Sequence, residues 1–255
     1  MAVFTNLQKS EIKNILNDYN LGSLVNFFGI KEGIENTNYF IKTSQNKFIL
    51  TIFEKRVKNT DIPYFVKLMD MMHDKGFKCP KPIKNIYNKP IFQIKSKSAI
   101  IVSYLEGKSK KRLSNTECYN VGKQIGKFHK ISSKLSIKRK NTLNFDYWNK
   151  IYHQTKKIYP KYSIKLKEYL TTYKKYKPKK LDSGIIHADL FPDNIFFKNN
   201  KFSGFIDFYF SCNEHYLYEL AVCINALCFK KNSVNKLKVK KLIDGYQLVK
   251  KIKKI

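Results

Sequence analysis

The stretch 184–209, GIIHADLFPDNIFFKNNKFSGFIDFY, determines how the rest of the chain is interpreted. Asp189 follows His187 in H-A-D, Asn194 comes five residues after Asp189, and Asp207 lies thirteen residues after Asn194. The apolar runs around these polar residues predict short buried strands. These strands are expected at 185–186, 195–197 and 205–206.

Two carboxylates next to buried strands need a partner, because burying an unpaired charge is costly. The pattern H-x-D-x-x-x-x-N followed by an Asp is typical of kinase-type phosphoryl transfer. Asp189 is predicted to orient an alcohol and accept its proton. Asn194 and Asp207 are predicted to ligate Mg²⁺, which prefers a few protein oxygens together with phosphate and water. We expect His187 to brace the loop by hydrogen bonding.

The composition indicates a packed globular protein rather than a disordered one. Hydrophobic residues make up 43% and aromatic residues 15% of the 255 residues, a length that suits one large domain or two lobes. The net charge is +31, but the lysines are spread along the chain rather than clustered. Such a surface attracts ATP, and it leaves nucleic-acid binding as a minor alternative.

Cysteine usage and the amino terminus suggest where the protein works. The five cysteines form no C-x-x-C pair, which argues against both a disulfide framework and a zinc site. The start, MAVFTNLQKSEIK, lacks the pattern of a signal peptide, and no stretch has the apolar length of a membrane span. We therefore expect a soluble cytoplasmic protein.

The pattern of residues predicts an α+β protein of two lobes. Residues 1–105 are expected to form a nucleotide-binding lobe with a five-stranded antiparallel sheet, and residues 106–255 a mainly helical catalytic and substrate lobe. Strands are predicted at 24–31, 37–44, 47–55, 91–94 and 99–105, with an extended connector at 79–82. Helices are predicted at 8–19, 61–75, 115–131, 144–158, 162–177, 214–229 and 234–252.

Stretches from most of the chain resemble one known family. They are MAVFT, YNLG, GIKEGIENTNYFI, FILTIFEKRV, CPKP, YLEG, HADLFPDNIFF, IDFYF and YELAVCINALCF. The chain resembles the aminoglycoside phosphotransferase and choline kinase group of the protein-kinase-like fold, and within it the bacterial homoserine kinases. This resemblance implies ATP and Mg²⁺ as cofactors and a small-molecule alcohol as substrate.

The resemblance also implies roles for individual residues. Asp189 becomes the catalytic aspartate, and Asn194 and Asp207 become the magnesium ligands. Further residues are expected to contact the nucleotide, with the first three forming a hinge that holds adenine by its backbone: Tyr104, Leu105, Glu106, Asn36 and Lys55. Residues just beyond the metal ligand are expected to shape the substrate pocket: Phe208, Tyr209 and Glu214.

Two features depart from the family pattern. Kinases carry a lysine on the third strand that contacts the ATP phosphates, whereas the corresponding residue here is Thr51. Lys42, Lys55 and Arg56 are the candidates to replace this lysine, and the following helix offers only aspartates as acidic partners. In addition, family members continue through further C-terminal helices, so we expect a short C-terminal lobe.

The motif predicts phosphoryl transfer, and the resemblance implies that the γ-phosphoryl group of ATP goes to L-homoserine, as in threonine biosynthesis. One alternative is another small-molecule alcohol kinase of the choline or aminoglycoside type. A second is a catalytically inactive kinase-like binding protein, which the Thr51 departure suggests. The third is the basic nucleic-acid binder. A substrate panel with Mg-ATP separates these hypotheses.

Overall fold

The computed structural model describes residues 3–176, 181–230 and 233–252, and its amino-terminal part contains an antiparallel sheet of six strands. The strands are β1 (Leu24–Gly29), β2 (Thr37–Thr43), β3 (Lys47–Ile52), β4 (Pro82–Ile83), β5 (Ile91–Ile94) and β6 (Lys97–Ser103). Strands β1, β2, β3 and β6 lie side by side, and β4 and β5 share the outer edge of β6. The α+β class and the antiparallel sheet are therefore confirmed.

The prediction of five strands is wrong by one, because part of the expected connector forms β4. Pro82 and Ile83 pair with the outer edge of β6, and the N–H of Ser103 donates to the carbonyl oxygen of Lys81 at 2.8 Å. Proline has no N–H to contribute to a ladder, and it is tolerated at the edge of a sheet. The motif CPKP predicts an extended backbone. An extended segment becomes a strand only where another strand lies beside it, and the motif does not show this.

Alternate residues of β6 face different parts of the core, as the period of a strand requires. Ala99 and Ile101 pack on the side of α1 (Lys9–Asn17), whose Ile12 is fully buried. Ile100 and Val102 pack on the opposite side, in the cluster that includes the next helix. Helix α2 (Ile62–Asp74) buries an apolar stripe against the same cluster: Phe65, Val66, Leu68, Met69 and Met72.

The carboxyl-terminal part is mainly helical, as predicted. Its helices are α3 (Asn115–Ser132), α4 (Phe145–Thr155), α5 (Pro160–Tyr176), α6 (Tyr216–Leu227) and α7 (Lys236–Gln247). The last residue of the helix predicted at 162–177 lies outside the described residues. Helix α7 ends earlier than the predicted 252. None of the helices in the described ranges is long and apolar enough to cross a membrane.

Helices α3 and α7 approach each other backbone to backbone. A Cβ atom added to Gly122 of α3 would lie 1.9 Å from the carbonyl oxygen of Leu242, and one added to Gly245 of α7 would lie 1.9 Å from that of Tyr119. Only glycine allows this distance. The close packing buries Phe128, His129 and Tyr246 beneath the loop that carries Asp189.

Short strands flank the motif and complete this part of the chain. They are β7 (Lys108–Ser109), β8 (Ser183–Ile186), β9 (Ile195–Lys198), β10 (Lys201–Phe205), β11 (Cys212–His215), β12 (Phe229–Lys230) and β13 (Ser233–Val234). Strand β10 ends at Phe205, so the predicted strand at 205–206 does not extend to Ile206. Residues 214 and 215, predicted to be helical, belong to β11, which pairs with β8. The lobe boundary after residue 105 stays a prediction.

Candidate active site

Asp189 and Asn194 lie on the connection between β8 and β9 and contact each other directly. Asn194 ends a 3₁₀ turn, Pro192–Asn194, and its side chain is buried. Its Nδ2 donates to the carbonyl oxygen of Asp189 at 2.8 Å and to the Asp189 carboxylate at 2.9 Å. These two bonds use only the NH₂ group of Asn194, so its amide oxygen stays available to accept a hydrogen bond or to ligate a metal ion.

Asp207 follows β10 and adopts a backbone φ of 62°, in the left-handed region that is uncommon for residues with a Cβ. Its side chain is accessible to solvent, yet the surrounding protein desolvates it enough to raise its pKa to about 6. High accessibility combined with dense surroundings is typical of a side chain in a narrow cleft. The N–H of Tyr209 and the charge of Arg56 act in the opposite direction and lower this pKa.

The electrostatics around Asp189 indicate a site for a cation. Burial, together with the negative charges of Asp207 and Asp193, raises the pKa of Asp189 to about 7. Carboxylates that repel one another in this way are stabilised by a bound metal ion. In the described ranges no group of three or more His, Cys, Asp or Glu residues forms a metal cluster. The available donors are one carboxylate and one amide, which fits Mg²⁺ that takes its other ligands from phosphate and water.

Arg56 is the cation of the amino-terminal lobe whose charge acts on both Asp189 and Asp207. It follows β3, forms an ion pair with Glu35 and lies over the ring of Phe210, with its guanidinium carbon 3.3 Å from the ring centroid. Its own pKa is lowered, chiefly by burial and less by Arg139, and the two aspartates oppose this effect. Arg56 is therefore well placed to meet the phosphates of a nucleotide.

The other candidates for the missing lysine are less favourably placed. Thr51 is buried, and its hydroxyl donates to Oδ1 of Asn38 at 2.7 Å. Lys55, the residue predicted to contact the nucleotide, is exposed, as is Lys42 on β2. Neither lysine makes an ion pair in the described part of the chain. Arg56 is the candidate whose charge acts on both aspartates, and the contact of Lys55 with the nucleotide stays a prediction.

The predicted hinge connects β6 to β7. The N–H of Tyr104 donates to the carbonyl oxygen of Lys47 at 3.2 Å. The N–H groups of Leu105 and Glu106 donate to none of the described residues, which leaves them free for the edge of a base. The Glu106 carboxylate binds Lys47 at 2.9 Å. Asn36, by contrast, is buried and its Oδ1 accepts from the N–H of Glu54 at 3.4 Å, so its side chain braces the β1–β2 loop.

The three predicted substrate residues have different environments. Phe208 is fully buried and packs on His187 with ring centroids 4.7 Å apart, so its predicted place in the pocket is wrong. Apolar packing under the motif draws this ring into the core. Tyr209 lines a cavity and contacts Phe53 edge to face at 4.9 Å. Glu214 accepts from Nδ2 of Asn141 at 3.1 Å and lies behind that residue.

Glu219 is a site residue that the sequence interpretation missed. This fully buried carboxylate on α6 accepts hydrogen bonds from the backbone N–H groups of His187 at 2.5 Å and Ala188 at 3.0 Å. His129 lies 3.6 Å away on the other side. The signal was present, because Glu219 is an acidic residue inside an otherwise apolar helix. Its function is to hold the loop that carries Asp189.

His187 braces the same loop, in agreement with the role predicted for it. Its Nε2 lies 2.9 Å from the carbonyl oxygen of Ile206, next to Asp207. Burial lowers the pKa of His187, so the ring is neutral at pH 7 and Nε2 donates to this carbonyl. The ring therefore ties the Asp189 loop to the segment that carries Asp207.

A cavity of about 340 Å³ opens beside the catalytic loop. Its lining includes Ala188, which precedes Asp189, and Tyr209, which is two residues beyond Asp207. It also contains Arg56, Lys58, Asp61, Phe65, Arg139, Asn141, Tyr147, Phe210 and Tyr218. Sequence reasoning did not identify Arg139 or Asn141, and it assigned Asp61 only to the start of a helix.

The fold and this arrangement of residues define a phosphotransferase, and comparison with known proteins agrees. Residues 28–234 match the model of the phosphotransferase enzyme family, and the chain belongs to that family. It is therefore an enzyme of the kinase type.

Relatives within this family are similar over nearly the whole chain. The homoserine kinase of Mesorhizobium japonicum is 39% identical over 98% of this chain and 79% of its own length. Those of Bartonella tribocorum and Agrobacterium fabrum are each 37% identical over 98% of this chain, and 80% and 79% of their own lengths are covered.

Solved structures show the same fold at low sequence identity. Spectinomycin phosphotransferase APH(9)-Ia, in complex with ADP and spectinomycin, has a TM-score of 0.71 at 14% identity, covering 95% of this chain and 80% of that one. The choline kinase LicA from Streptococcus pneumoniae has a TM-score of 0.68 at 16% identity, covering 93% and 79%. The protein-kinase-like architecture is thus confirmed.

Proposed function

We propose that the protein transfers the γ-phosphoryl group of ATP to the side-chain hydroxyl of L-homoserine, giving O-phospho-L-homoserine and ADP. The observation that carries the proposal is the contact between Asn194 and Asp189 beside Asp207, next to a cavity for a small molecule. The choice of L-homoserine as substrate is supported by the similarity to homoserine kinases, which are 37–39% identical over 98% of the chain.

In the proposed reaction Asp189 accepts a hydrogen bond from the substrate hydroxyl and takes its proton as the oxygen attacks the γ-phosphorus. The bond between that phosphorus and the β,γ-bridging oxygen breaks, and ADP leaves with the electron pair. A positioned base of this kind contributes roughly 10²–10⁴-fold in rate. Asn194 orients the Asp189 carboxylate, and Glu219 fixes the backbone of the loop.

Asn194 and Asp207 would hold Mg²⁺ through the amide oxygen and the carboxylate. A bound Mg²⁺ supplies positive charge that offsets the charge of the phosphate oxygens during transfer. Arg56 adds a second positive charge from the opposite lobe. The free backbone N–H groups of Leu105 and Glu106 would hold the adenine, with the nucleotide between residues 1–105 and residues 106–255.

Cytoplasmic location and small-molecule partners belong to the same proposal. All five cysteines are free and buried, a state that a reducing compartment maintains. The intact catalytic constellation supports an active enzyme over an inactive binding protein. We expect neither nucleic acid nor a membrane as partner.

The test is a panel of alcohols offered to the purified protein with Mg-ATP: L-homoserine, choline, ethanolamine and an aminoglycoside. The proposal predicts ADP release with L-homoserine and a product whose ³¹P signal matches O-phospho-L-homoserine. Each remaining alcohol is expected to give a kcat/KM at least about 100-fold lower. Turnover of choline without turnover of homoserine would reject the proposed substrate and keep the reaction class.

A further inference from the structure

We propose that Arg139 binds the α-carboxylate of the substrate and thereby makes the enzyme selective for hydroxylated amino acids over amino alcohols. This inference rests on the proposed function and adds the group that recognises the amino-acid part of the substrate. It follows from the charge and the hydrogen bonds of the cavity beside Asp189.

The cavity has the size and the charge for a small anionic group. Its volume of about 340 Å³ lies in the range of about 300–1,000 Å³ typical of small-molecule pockets. Three cations line it, namely Arg56, Lys58 and Arg139, against the single carboxylate of Asp61. A cationic pocket attracts a carboxylate and disfavours a substrate that is only cationic.

Arg139 is held rigidly although it lies in the segment between α3 and α4. Its Nε donates to Oδ2 of Asp61 at 2.9 Å, and its Nη1 donates to the carbonyl oxygen of Ser211 at 3.2 Å. The guanidinium carbon lies 4.9 Å from the ring centroid of Phe65. The backbone is fixed as well, because Arg139 and Asn213 exchange two hydrogen bonds of 2.8 and 2.7 Å.

The guanidinium keeps donors for a ligand after these contacts. Nη2 lies 2.9 Å from Oδ2 of Asp61, and Nη1 spends one N–H on Ser211, so each of these nitrogens retains one N–H. These remaining N–H groups are available to a carboxylate, the anion that a guanidinium binds with several charged hydrogen bonds. The side chain is only 13% exposed, so water competes weakly for these donors.

The other two cations of the cavity are less suited to this task. Arg56 is paired with Glu35, stacks on Phe210 and faces the catalytic carboxylates, where the phosphates of ATP are expected. Lys58 is exposed, and a hydrated ammonium on a flexible stem recognises a carboxylate without fixed geometry. Of the three cations, Arg139 is therefore the one that its neighbours hold in place to bind a carboxylate.

The test compares two alcohols that differ only in the carboxylate: L-homoserine and 3-amino-1-propanol. Arg139→Gln should lower kcat/KM for L-homoserine roughly 10- to 100-fold, mainly through KM, because a charged hydrogen bond is lost. The same variant should leave 3-amino-1-propanol and the KM for ATP within about threefold. Arg112→Gln, at an exposed arginine outside the cavity, is the matched control and should change neither substrate.

Removing Arg139 leaves Asp61 unpaired, so a second variant protects the test against misfolding. Asp61→Asn combined with Arg139→Gln removes both charges and should show the same selective loss. Arg139→Lys keeps the charge without the guanidinium and should lie between wild type and Arg139→Gln. Where turnover of 3-amino-1-propanol is below detection, the inhibition constants of L-2-aminobutyrate and propylamine give the same comparison.

Equal losses for both alcohols, or an unchanged preference in both Arg139→Gln and the double variant, would overturn the inference. Failure of the proposed function is recognised separately in the wild-type protein, which would then not phosphorylate L-homoserine. If the wild type accepts another hydroxylated amino acid, that compound and its decarboxylated amine replace the pair. The role of Arg139 is then judged on the new pair.

Discussion

The carboxylate of Glu219 accepts a hydrogen bond of 3.0 Å from the backbone N–H of Ala188, and this bond connects the buried helix α6 to the catalytic loop. Ala188 has a φ of 67°, which is unfavourable for a residue with a Cβ. The bond stabilises this conformation and sets the position of Asp189, the next residue along the chain.

The first prediction concerns Glu219→Gln. The amide presents an NH₂ group where two acceptor oxygens are needed, so one backbone N–H of the loop loses its partner. Displacement of Asp189 is expected to lower kcat by about 10²-fold. Steady-state kinetics with L-homoserine measures the effect, and Glu168→Gln on the exposed surface of α5 is the control. An unchanged kcat in a folded Glu219→Gln protein would exclude a positioning role.

The second prediction compares two neighbouring cations. Arg56→Gln should lower kcat/KM for ATP roughly 10- to 100-fold, because its charge acts on both catalytic aspartates and is placed to meet the phosphates. Lys55→Gln should change this value less than about threefold, since Lys55 is not among the charges that shift the pKa of Asp189 or Asp207. The opposite ranking would restore Lys55 as the residue that replaces the missing lysine.

A third prediction concerns the metal requirement. Asp207→Asn should raise the Mg²⁺ concentration for half-maximal activity by at least about tenfold, because a neutral amide binds Mg²⁺ less strongly than a carboxylate. Asp193→Asn removes a nearby charge without removing a proposed ligand and is the matched control. Identical Mg²⁺ titrations for Asp207→Asn and wild type would exclude Asp207 as a ligand.

The fourth prediction is a loss of stability at mildly acidic pH that depends on His129. Burial lowers the pKa of this ring, with Lys250 adding to the effect and Glu219 opposing it. Tyr246 lies 3.0 Å from Nδ1, and the ring of Tyr216 lies 4.4 Å away between centroids. Below pH 6.5 this histidine binds more protons in the unfolded chain than in the folded one, so its contribution to stability falls as the pH is lowered.

Thermal unfolding between pH 7.5 and 5.5 checks this expectation. His129 should lower the wild-type Tm toward the acidic end, at about 2–4 °C for each kcal/mol lost, while the raised pKa values of Asp189 and Asp207 act in the opposite direction. His129→Gln should show a smaller decrease over the same range, whatever its Tm at pH 7.5. An equal or larger decrease in the variant would assign the acid sensitivity to other groups.

The proximity of Asp189 and Asn194 could be predicted from the sequence because its signal is local. Asp189 and Asn194 are five residues apart, and the 3₁₀ turn between them brings their side chains into contact. The alternation of apolar residues likewise predicted the strands of the sheet. The sequence did not reveal β4 at the edge of the sheet, because a strand of two residues is too short to show an alternation of apolar and polar residues.

The residues that the sequence did not reveal depend on contacts between distant parts of the chain. Arg139 meets Asp61 across 78 residues, and Glu219 meets His187 across 32. Such contacts follow from how lobes and helices pack, which no local pattern encodes. The prediction for Phe208 failed for a related reason. The sequence does not show which of the two adjacent rings, Phe208 or Tyr209, faces the core.

The most direct test of the account is the rate of O-phospho-L-homoserine formation by Asp189→Asn, measured beside the wild type with saturating Mg-ATP. The amide retains an oxygen for the contact with Asn194 and cannot accept the substrate proton. We predict that kcat falls by roughly 10²–10⁴-fold while the affinity for Mg-ATP stays within about threefold. A rate within twofold of the wild type would contradict the assignment of Asp189 as the catalytic base.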